Sequence, residues 1–403
     1  MAQHDYDLAN NPGATLRADL NALSEAVGSN NSGATAPPVT FPFMWWPDTA
    51  NSLLKQRNSA NTAWRVVAAI EDGELVPYSE GVPLRRSELV AVTATAFVKS
   101  DGSQPAWTAP TATTLETASD LALVVGSTIV EIAAGTSVTL PALSAGTDYT
   151  IYASTDGSLE AVDADSAAPA GERVVGGFHA SAGASEIVTR SLWDLNWRPK
   201  SNPRGMTLDP GGSVWGDIYL CDVDYALNGY SRNGQQIADD GSLPKIPSDY
   251  GGDGTSTYSS ASWWSFNDIL SAAGKRFPHY QEFTALAYGV VERQAAGTDP
   301  GNTQHQAGHR SACGCEQVTG IMWQWGADIT GTSATGTVSW KDWTDGRGDI
   351  YTNSIRSPLF GANWDDGSGA GSRASSWSSQ PDGSFSDIGA RGVCDHINLQ
   401  GER

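Results

Sequence analysis

The chain has 403 residues, a length typical of about two to four domains. With 39% hydrophobic and 17% charged residues, it has the composition of ordered globular protein. Its formal net charge of −21 disfavours phosphate backbones and anionic lipid, so we expect neither nucleic-acid binding nor membrane insertion. The sequence shows no signal-peptide pattern and no apolar run that could span a bilayer, so we expect no use of the general secretory route.

The first region, residues 1–85, is predicted to hold a helix and a small β module. Leu16, Leu20, Leu23 and Val27 fall on one helical face, and Gly28 is a suitable terminator. A helix this short is marginal alone, so we expect its apolar face to pack on another body or on copies of itself. The tryptophan-rich stretch from 44 to 66 predicts a hairpin used for docking.

The second region, residues 86–190, alternates polar and apolar residues as strands do. Asp156-Gly157 is a strong hairpin signal. The region has no cysteine and no cluster of polar residues typical of chemistry. We therefore predict a β-sandwich or barrel that serves as a spacer.

The third region, residues 191–403, holds all four cysteines and four of the six histidines. It predicts one helix with Ser265 as N-cap, Asp268 in the capping box and Gly274 as terminator, and a second helix that ends at Gly289. The rest predicts short strands and long Gly/Ser/Asp loops, which in compact domains are usually functional or disordered.

The cysteines do not form a recognisable framework. Cys313 and Cys315 are too close for an easy mutual bridge, and no second pair completes a zinc site. We expect mostly reduced, buried thiols, with a bridge of Cys221 or Cys394 left open.

Two other patterns suggest chemistry only weakly. His305 and His309 have zinc-protease spacing, but Gln306 stands where the general base is needed. The carboxylates at Asp239/Asp240, Asp365/Asp366 and Asp342, Asp345 and Asp349 are expected in so acidic a chain. We expect no cofactor and leave a structural calcium ion open, with any metal ligands unknown.

Longer segments are more specific. "AAGKRFPHYQEFTALAYG" (272–289), "GIMWQWGADI" (320–329) and residues 357–397 follow one another in the order found in C-type-lectin-like folds of formylglycine-generating enzymes and of retroelement-diversified variable proteins. From about residue 145 onward the chain resembles the major-tropism-determinant family of bacteriophage tail-fibre receptor-binding proteins. The stretches "YDLANNPGATLRADLNALSEAV" and "MWWPDTANSLLKQRNSANTAW" resemble a tail-fibre N-terminal module that departs from that family.

The resemblance implies a multidomain, mainly β fold with an α+β C-terminal domain. It divides the chain into a tail-attachment and trimerisation module (1–85), a β-rich spacer (86–190) and a C-type-lectin-like receptor-binding domain (191–403). Arg276 and Pro278 would set the start of a helix, Trp323 and Trp325 would pack the central strands, and Gly389, Arg391 and Gly392 would form the closing strand. The expected protein is a homotrimeric fibre of the virion, assembled in the host cytoplasm, with phage tail or baseplate proteins and a host protein, pilus or glycan as partners.

The resemblance also implies a receptor-binding face near the C-terminus, rich in serine hydroxyls and carrying one tryptophan as an anchor. Its predicted residues are Trp364, Asp365, Asp366, Ser368, Arg373, Ser375, Ser376, Trp377, Ser378, Ser379, Asp382, Ser384 and Ser386.

Two alternatives share this fold. A formylglycine-generating-type oxidase needs a cysteine pair near the C-terminus, whereas only Cys394 lies there, beside Asp395 and His396. A cellular surface lectin is disfavoured because no signal peptide is seen. We therefore expect a binding protein and no enzyme.

Overall fold

The computed structural model describes most of the chain and places two compact units, Met1–Ala94 with Ser127–Ile129 and Thr95–Gly126 with Val130–Arg403. The predicted boundary at residues 85–86 lies outside the described residues, as does Asp345. Those described are 3–8, 12–71, 74–79, 82–83, 96–331, 338–342 and 349–400.

The first unit contains the predicted helix and a five-stranded antiparallel meander in the order β1-β2-β3-β4-β5. The indole of Trp46 is buried and lies edge-on to that of Trp64, with ring centroids 5.3 Å apart, because β1 and β3 flank β2. The elements are α1 (Gly13–Gly28), β1 (Trp45–Asp48), β2 (Leu53–Arg57), β3 (Trp64–Glu71), β4 (Glu74–Ser79) and β5 (Val82–Pro83).

Helix α1 ends at Gly28 as predicted, but its apolar face is largely uncovered. Leu20 is 44% exposed and Val27 is 60% exposed, whereas Ala26 is buried. A short helix needs a surface to pack against, and the described part of one chain does not cover Leu20 and Val27.

The next segment is β-structure around one apolar core that includes Trp107, Tyr149 and Phe178. Asp156-Gly157 forms the predicted hairpin between β11 and β12, where Gly157 adopts a φ of 88° and the Asp156 carboxylate accepts from Ser158 N at 2.9 Å. The sheets are ordered β10-β9-β6, β7-β8 and β12-β11-β13-β14. The strands are β6 (Phe97–Lys99), β7 (Trp107–Thr111), β8 (Thr114–Thr117), β9 (Leu121–Val125), β10 (Thr128–Ile132), β11 (Asp148–Ala153), β12 (Leu159–Asp163), β13 (Arg173–His179) and β14 (Trp193–Asp194).

The remaining chain is α+β, with short helices packed against two sheets ordered β15-β25-β17-β16 and β19-β22-β18-β24. Strand β23 pairs with β22 beside the second sheet, and β20-β21 forms a separate hairpin. Its helices are α2 (Tyr225–Asn228), α3 (Trp263–Ala272) and α4 (Tyr280–Leu286). Its strands are β15 (Trp197–Pro199), β16 (Met206–Leu208), β17 (Val214–Asp217), β18 (Trp323–Trp325), β19 (Thr330–Gly331), β20 (Ser339–Asp342), β21 (Asp349–Thr352), β22 (Ile355–Phe360), β23 (Ser375–Ser379), β24 (Ile388–Gly389) and β25 (Val393–Asn398).

Two helix boundaries differ from the sequence prediction. The N-cap of α3 is Ser262, whose hydroxyl accepts from Ser265 N, so the cap predicted at Ser265 and the capping box with Asp268 are wrong. The reason is that Trp263 and Trp264 extend the helix by burying apolar surface. Gly274 follows α3 with a φ of 70°, as expected of a terminator, whereas α4 stops at Leu286, three residues before Gly289.

The predicted frame residues hold the C-terminal fold, with one correction. Gly389 ends β24, but Arg391 and Gly392 lie in the connection to β25 and not in a strand. Arg391 is fully buried there because its guanidinium donates to backbone carbonyls, at 2.6 Å to Asp217 O and 2.6 Å to Glu316 O. These bonds link the connection before β25 to the end of β17 and to the loop that contains Glu316.

Pro278 and Arg276 lie just before α4 as predicted. The Arg276 guanidinium forms a two-point ion pair with Glu282 at 2.6 and 2.8 Å, and the Glu282 carboxylate also accepts from His279 N at 2.8 Å. This pairing holds the pKa of Glu282 below its usual value despite partial burial. Trp325 is buried and Trp323 is half-buried in the α3 core. Within the described ranges, no helix is long and apolar enough to cross a membrane.

Candidate functional site

The predicted C-terminal face lies between β22 and β24, where β23 adds an antiparallel strand to β22. None of its 13 predicted residues is buried, and nine are exposed. The exposed ones are Asp365, Asp366, Ser368, Arg373, Ser375, Trp377, Ser378, Asp382 and Ser386, and the half-buried ones are Trp364, Ser376, Ser379 and Ser384.

Trp377 is the large apolar side chain at the centre of β23 and is 45% exposed. Its indole lies edge-on to Phe360, with ring centroids 6.3 Å apart, and to Tyr280, at 6.4 Å. Phe360 is fully buried and packs on Phe283 at 5.3 Å. The exposed indole is therefore one end of an aromatic stack that begins in the core.

The serines of β23 surround this ring with hydroxyl groups. Ser375 Oγ accepts from the Trp377 indole N–H at 3.3 Å, and the hydroxyls of Ser376 and Ser378 are 3.1 Å apart. These side chains bond to one another and not to the core, so other side chains could replace them at little cost to packing.

The loop before β23 is held by main-chain contacts. Tyr280 OH donates to Arg373 O at 3.1 Å, Arg293 N donates to Ala370 O at 2.9 Å, and the Glu292 carboxylate accepts from Ser372 N at 3.0 Å. A Cβ added to Gly371 would lie 2.4 Å from Glu292 Oε2, which explains glycine at this close approach. The Arg373 backbone is thus fixed while its guanidinium is exposed.

Trp364 and the two aspartates that follow form a turn. Asn363 N donates to Asp366 Oδ2 at 2.9 Å, and Asp365 N donates to Asn363 Oδ1 at 2.9 Å. Trp364 packs against the small core that contains Ile321. Trp364 and Asp366 therefore stabilise this part of the fold, whereas the Asp365 carboxylate is exposed and free to contact a partner.

The far end of the segment contains one residue with a clearly structural role. Ser384 Oγ accepts from Ala261 N at 2.8 Å and donates to the Asp240 carboxylate, which joins two loops. Asp382 and Ser386 are exposed on either side of it. Of the predicted residues, Ser384 is therefore the least suited to vary freely.

Sequence reasoning missed exposed aromatic side chains outside or between the chosen positions. Phe385 lies within the same segment, and its isolation among serines was a usable signal. Tyr288 follows α4 and is 65% exposed. Trp340 is 67% exposed on β20, paired with Tyr351 across the hairpin at 5.2 Å. No sequence signal distinguishes Tyr288 from a core aromatic.

The histidines and carboxylates that weakly suggested a metal or catalytic site do not meet in one site. His305 Nδ1 lies 3.1 Å from the Glu316 carboxylate, whereas buried His309 pairs through Nδ1 with Thr319 O at 2.7 Å. Burial raises the pKa of Glu316 above its usual value. Within the part of the chain that the structure describes, no three His, Cys, Asp or Glu side chains converge as a metal site would require.

All four cysteines are described, buried and unpaired. Cys394 Sγ lies 3.1 Å from Ser201 Oγ, and the sulfurs of Cys313 and Cys315 are 3.9 Å apart. Neither Cys221 nor Cys394 forms the bridge that the sequence left open.

Comparison with known proteins identifies the family. A family model described as "Mtd second domain" matches residues 93–193. A tail fiber receptor-binding protein of Bordetella phage BPP-1 is 39% identical over 346 residues, covering 79% of this chain and 89% of the relative. The chain belongs to the major tropism determinant family of phage tail-fibre receptor-binding proteins. The resemblance read from the sequence is therefore confirmed.

Solved structures of major tropism determinants agree with this assignment. The M1 variant matches with a TM-score of 0.74 and 35% identity over 90% of this chain and 96% of that one. The U1 variant matches with a TM-score of 0.72 and 36% identity over 91% of this chain and 99% of that one. The predicted mainly β fold and the location in the virion tail fibre are thus confirmed, and these relatives are named as tropism determinants and receptor-binding proteins, not as enzymes.

Proposed function

We propose that this tail-fibre protein adsorbs phage to the host cell by binding a surface receptor through the C-terminal face around Trp377. The observation that carries the proposal is the position of that indole, half-exposed on an edge strand yet supported from below by Phe360 and Tyr280. A preformed aromatic anchor loses little side-chain entropy on binding, and tryptophan is enriched at binding hot spots.

The groups around the anchor suit adaptable recognition. Exposed hydroxyls on Ser375, Ser378 and Ser386 can donate or accept, and the carboxylates of Asp365 and Asp382 add charge at the rim. None of these five side chains is buried. We expect replacement there to leave the fold intact, which supports a surface that can be diversified.

We further propose that residues 191–403 form a C-type-lectin-like domain, that residues 86–190 are a spacer, and that residues 1–85 attach the fibre to phage tail or baseplate proteins. The uncovered side chains Leu20 and Val27 on α1, together with exposed Phe41 and Phe43, support burial against copies of the chain in a homotrimer. Several linked copies would multiply weak contacts by about 10²–10⁴ through effective concentration.

We propose no catalytic role. Cys394 lies in β25, buried against Ser201, whereas the Cys313–Cys315 pair lies in a loop, and the structure records no contact between Cys394 and either of these two thiols within the described residues. A cofactor is not part of the proposal. We propose that divalent cations promote adsorption. The only basis is charge, because a chain of net charge −21 is repelled by an anionic cell envelope.

Binding of the purified full-length chain to host cells tests the proposal. The chain should bind and should compete with phage for adsorption, whereas cells that resist the phage should bind neither. Binding of the chain to sensitive and resistant cells alike, without competition, would exclude a receptor role. A chelator should lower adsorption, and calcium or magnesium should restore it.

A further inference from the structure

Beside the proposed receptor face lies a depression of about 370 Å³, lined by Pro210, Thr284, Ala285, Tyr288, Ser372 and Arg373. Its walls are formed by the segment before β23 and by the end of α4 with the residues that follow. Only Arg373 belongs to the face predicted from the sequence. The volume is near the lower end of the range of about 300–1,000 Å³ that small-ligand sites occupy.

The two sides of this depression are held in place before any ligand arrives. Ala312 N donates to Tyr288 O at 2.8 Å, and Tyr280 OH donates to Arg373 O at 3.1 Å. Glu292, the carboxylate that adjoins the depression, is engaged by the N–H and hydroxyl of Ser372. The backbone therefore fixes the positions from which Tyr288 and Arg373 extend.

Donors in this depression are unoccupied. The Arg373 guanidinium forms no ion pair and the Tyr288 hydroxyl no hydrogen bond with any residue that the structure describes. Both side chains are exposed. An arginine fork and a phenol hydroxyl that line the same depression offer the donors that a carboxylate accepts, two parallel N–H bonds and a further O–H bond.

Acceptors complete the pattern. The Thr284 hydroxyl already donates to Gln281 O at 2.9 Å, and the Ser372 hydroxyl donates to Glu292, so each oxygen is left to accept. Pro210, Ala285 and the ring of Tyr288 supply apolar surface to the same depression. A ligand that fits carries a carboxylate for the donors, hydroxyl groups for the acceptors and C–H surface for the apolar side chains.

We propose that this depression is a subsite for an acidic sugar of the host-cell surface, with Arg373 and Tyr288 binding the carboxylate and Thr284 and Ser372 accepting from ring hydroxyls. The inference rests on the proposed receptor role and narrows the receptor to an acidic glycan. It also adds residues of α4 and the following turn to a site that the sequence confined to the C-terminal segment. A lone protein carboxylate would leave the hydroxyl acceptors and most of the volume unused.

Ligand-observed NMR with the full-length chain tests the subsite. The probes are glucuronic, galacturonic and N-acetylneuraminic acids, with glucose and galactose as neutral controls and N-acetyl-aspartate as a carboxylate without a sugar ring. At least one acid should bind, and Arg373→Gln and Tyr288→Phe should each weaken it by about tenfold. Tyr250→Phe, which changes an exposed tyrosine elsewhere, should leave binding unchanged.

Three outcomes would overturn the subsite: no acid binds, N-acetyl-aspartate binds equally well, or both variants bind like the parent chain. Cell binding by the Trp377→Ala variant separates this failure from failure of the receptor role. If Trp377→Ala reduces cell binding while no acid binds, the receptor face stands and the acidic-sugar subsite is wrong. If the parent chain does not bind cells, the receptor role itself is wrong.

Discussion

The indole of Trp377 lies edge-on to the ring of Phe360, with centroids 6.3 Å apart, so an exposed side chain of the proposed receptor face rests directly on the core. Phe360 in turn packs on Phe283 in α4. The helix, β22 and β23 therefore share one aromatic stack. Contact with a receptor at Trp377 requires no ordering of the chain around it, because Trp377 lies in strand β23.

Trp377→Ala should reduce receptor binding by about 30-fold or more per site, which corresponds to the loss of a hot-spot side chain worth about 2 kcal/mol. The free energy of unfolding should fall by less than about 1 kcal/mol, because the indole is half-exposed. Purified-chain binding and phage adsorption measure the first effect, and thermal unfolding measures the second. Trp340→Ala is the matched control, since it removes an exposed indole from the β20–β21 hairpin; an equal loss in both variants would contradict a site centred on Trp377.

Arg391→Met should destabilise the C-terminal fold by about 3–5 kcal/mol, because each buried carbonyl left without a donor costs about 1–3 kcal/mol. It would remove the donors to Asp217 O, Ile218 O and Glu316 O while these carbonyls stay buried. Arg391→Lys should recover only part of the loss, because an ammonium cannot reproduce the planar fork. Chemical unfolding of the parent chain and the two variants measures the free energy of unfolding of each. A methionine variant within about 1 kcal/mol of the parent would show that these bonds contribute little.

Gly392→Ala should cost about 1–3 kcal/mol through overpacking. The added Cβ would lie 2.6 Å from Asp217 Oδ2 and 2.8 Å from Leu270 Cδ2. Gly369→Ala is the control in the same unit, because the nearest atom to its Cβ would be Asp366 Cβ at 3.9 Å. Thermal melts should separate the two variants, and equal melting temperatures would argue against close packing at residue 392.

Asp222 should make the stability of the fold depend on pH. Burial raises the pKa of its carboxyl from 3.8 to about 6. Between these values the folded chain keeps a proton that the unfolded chain has released, so this group lowers the free energy of unfolding as pH rises, by at most about 3 kcal/mol.

The variant Asp222→Asn lacks this titration. Its stability relative to the parent chain should therefore improve between pH 4 and pH 7. Its absolute stability should be lower at both, because Asp224 N and Arg232 N both donate to the native carboxylate. Urea unfolding across this range measures the difference. A difference that does not change with pH would show that Asp222 titrates normally.

Helix α1 should contribute to self-association. Leu20→Glu or Val27→Glu should shift purified protein toward monomer, because each places a charge on the exposed apolar face. Ala18→Glu changes an exposed residue on the opposite side of the helix and should leave the mass unchanged. Analytical ultracentrifugation measures the mass, and an unaltered trimer in all three variants would place the association surface elsewhere.

Local signals located several features correctly from the sequence. The end of α1 at Gly28 and the hairpin at Asp156-Gly157 follow from turn and capping chemistry, which act over a few residues. The cap of α3 did not follow, because burial of Trp263 outweighed the local preference at Ser265. Residues such as Arg391 could be named from the family resemblance, but their partners could not.

The candidate site was likewise only partly readable. Its low-complexity sequence predicted a tolerant surface near the C-terminus, and the resemblance supplied the receptor-binding role. The support of Trp377 by Phe360 and Tyr280 joins residues that are 17 and 97 positions apart, which no local pattern encodes. Ser384 looked equivalent to its neighbours and proved to be tied to Ala261 and Asp240.

The sequence by itself determined the class of this protein and the composition of its exposed segment, because charge balance, periodicity and family motifs are properties of the chain. Only the tertiary structure decided which serines of the stretch Gly367–Ser384 are available for binding and which hold loops together. It also brought Tyr288 and Arg373 to the lining of one depression. Such pairings depend on backbones that meet after folding, when buried donors and acceptors from distant segments satisfy one another.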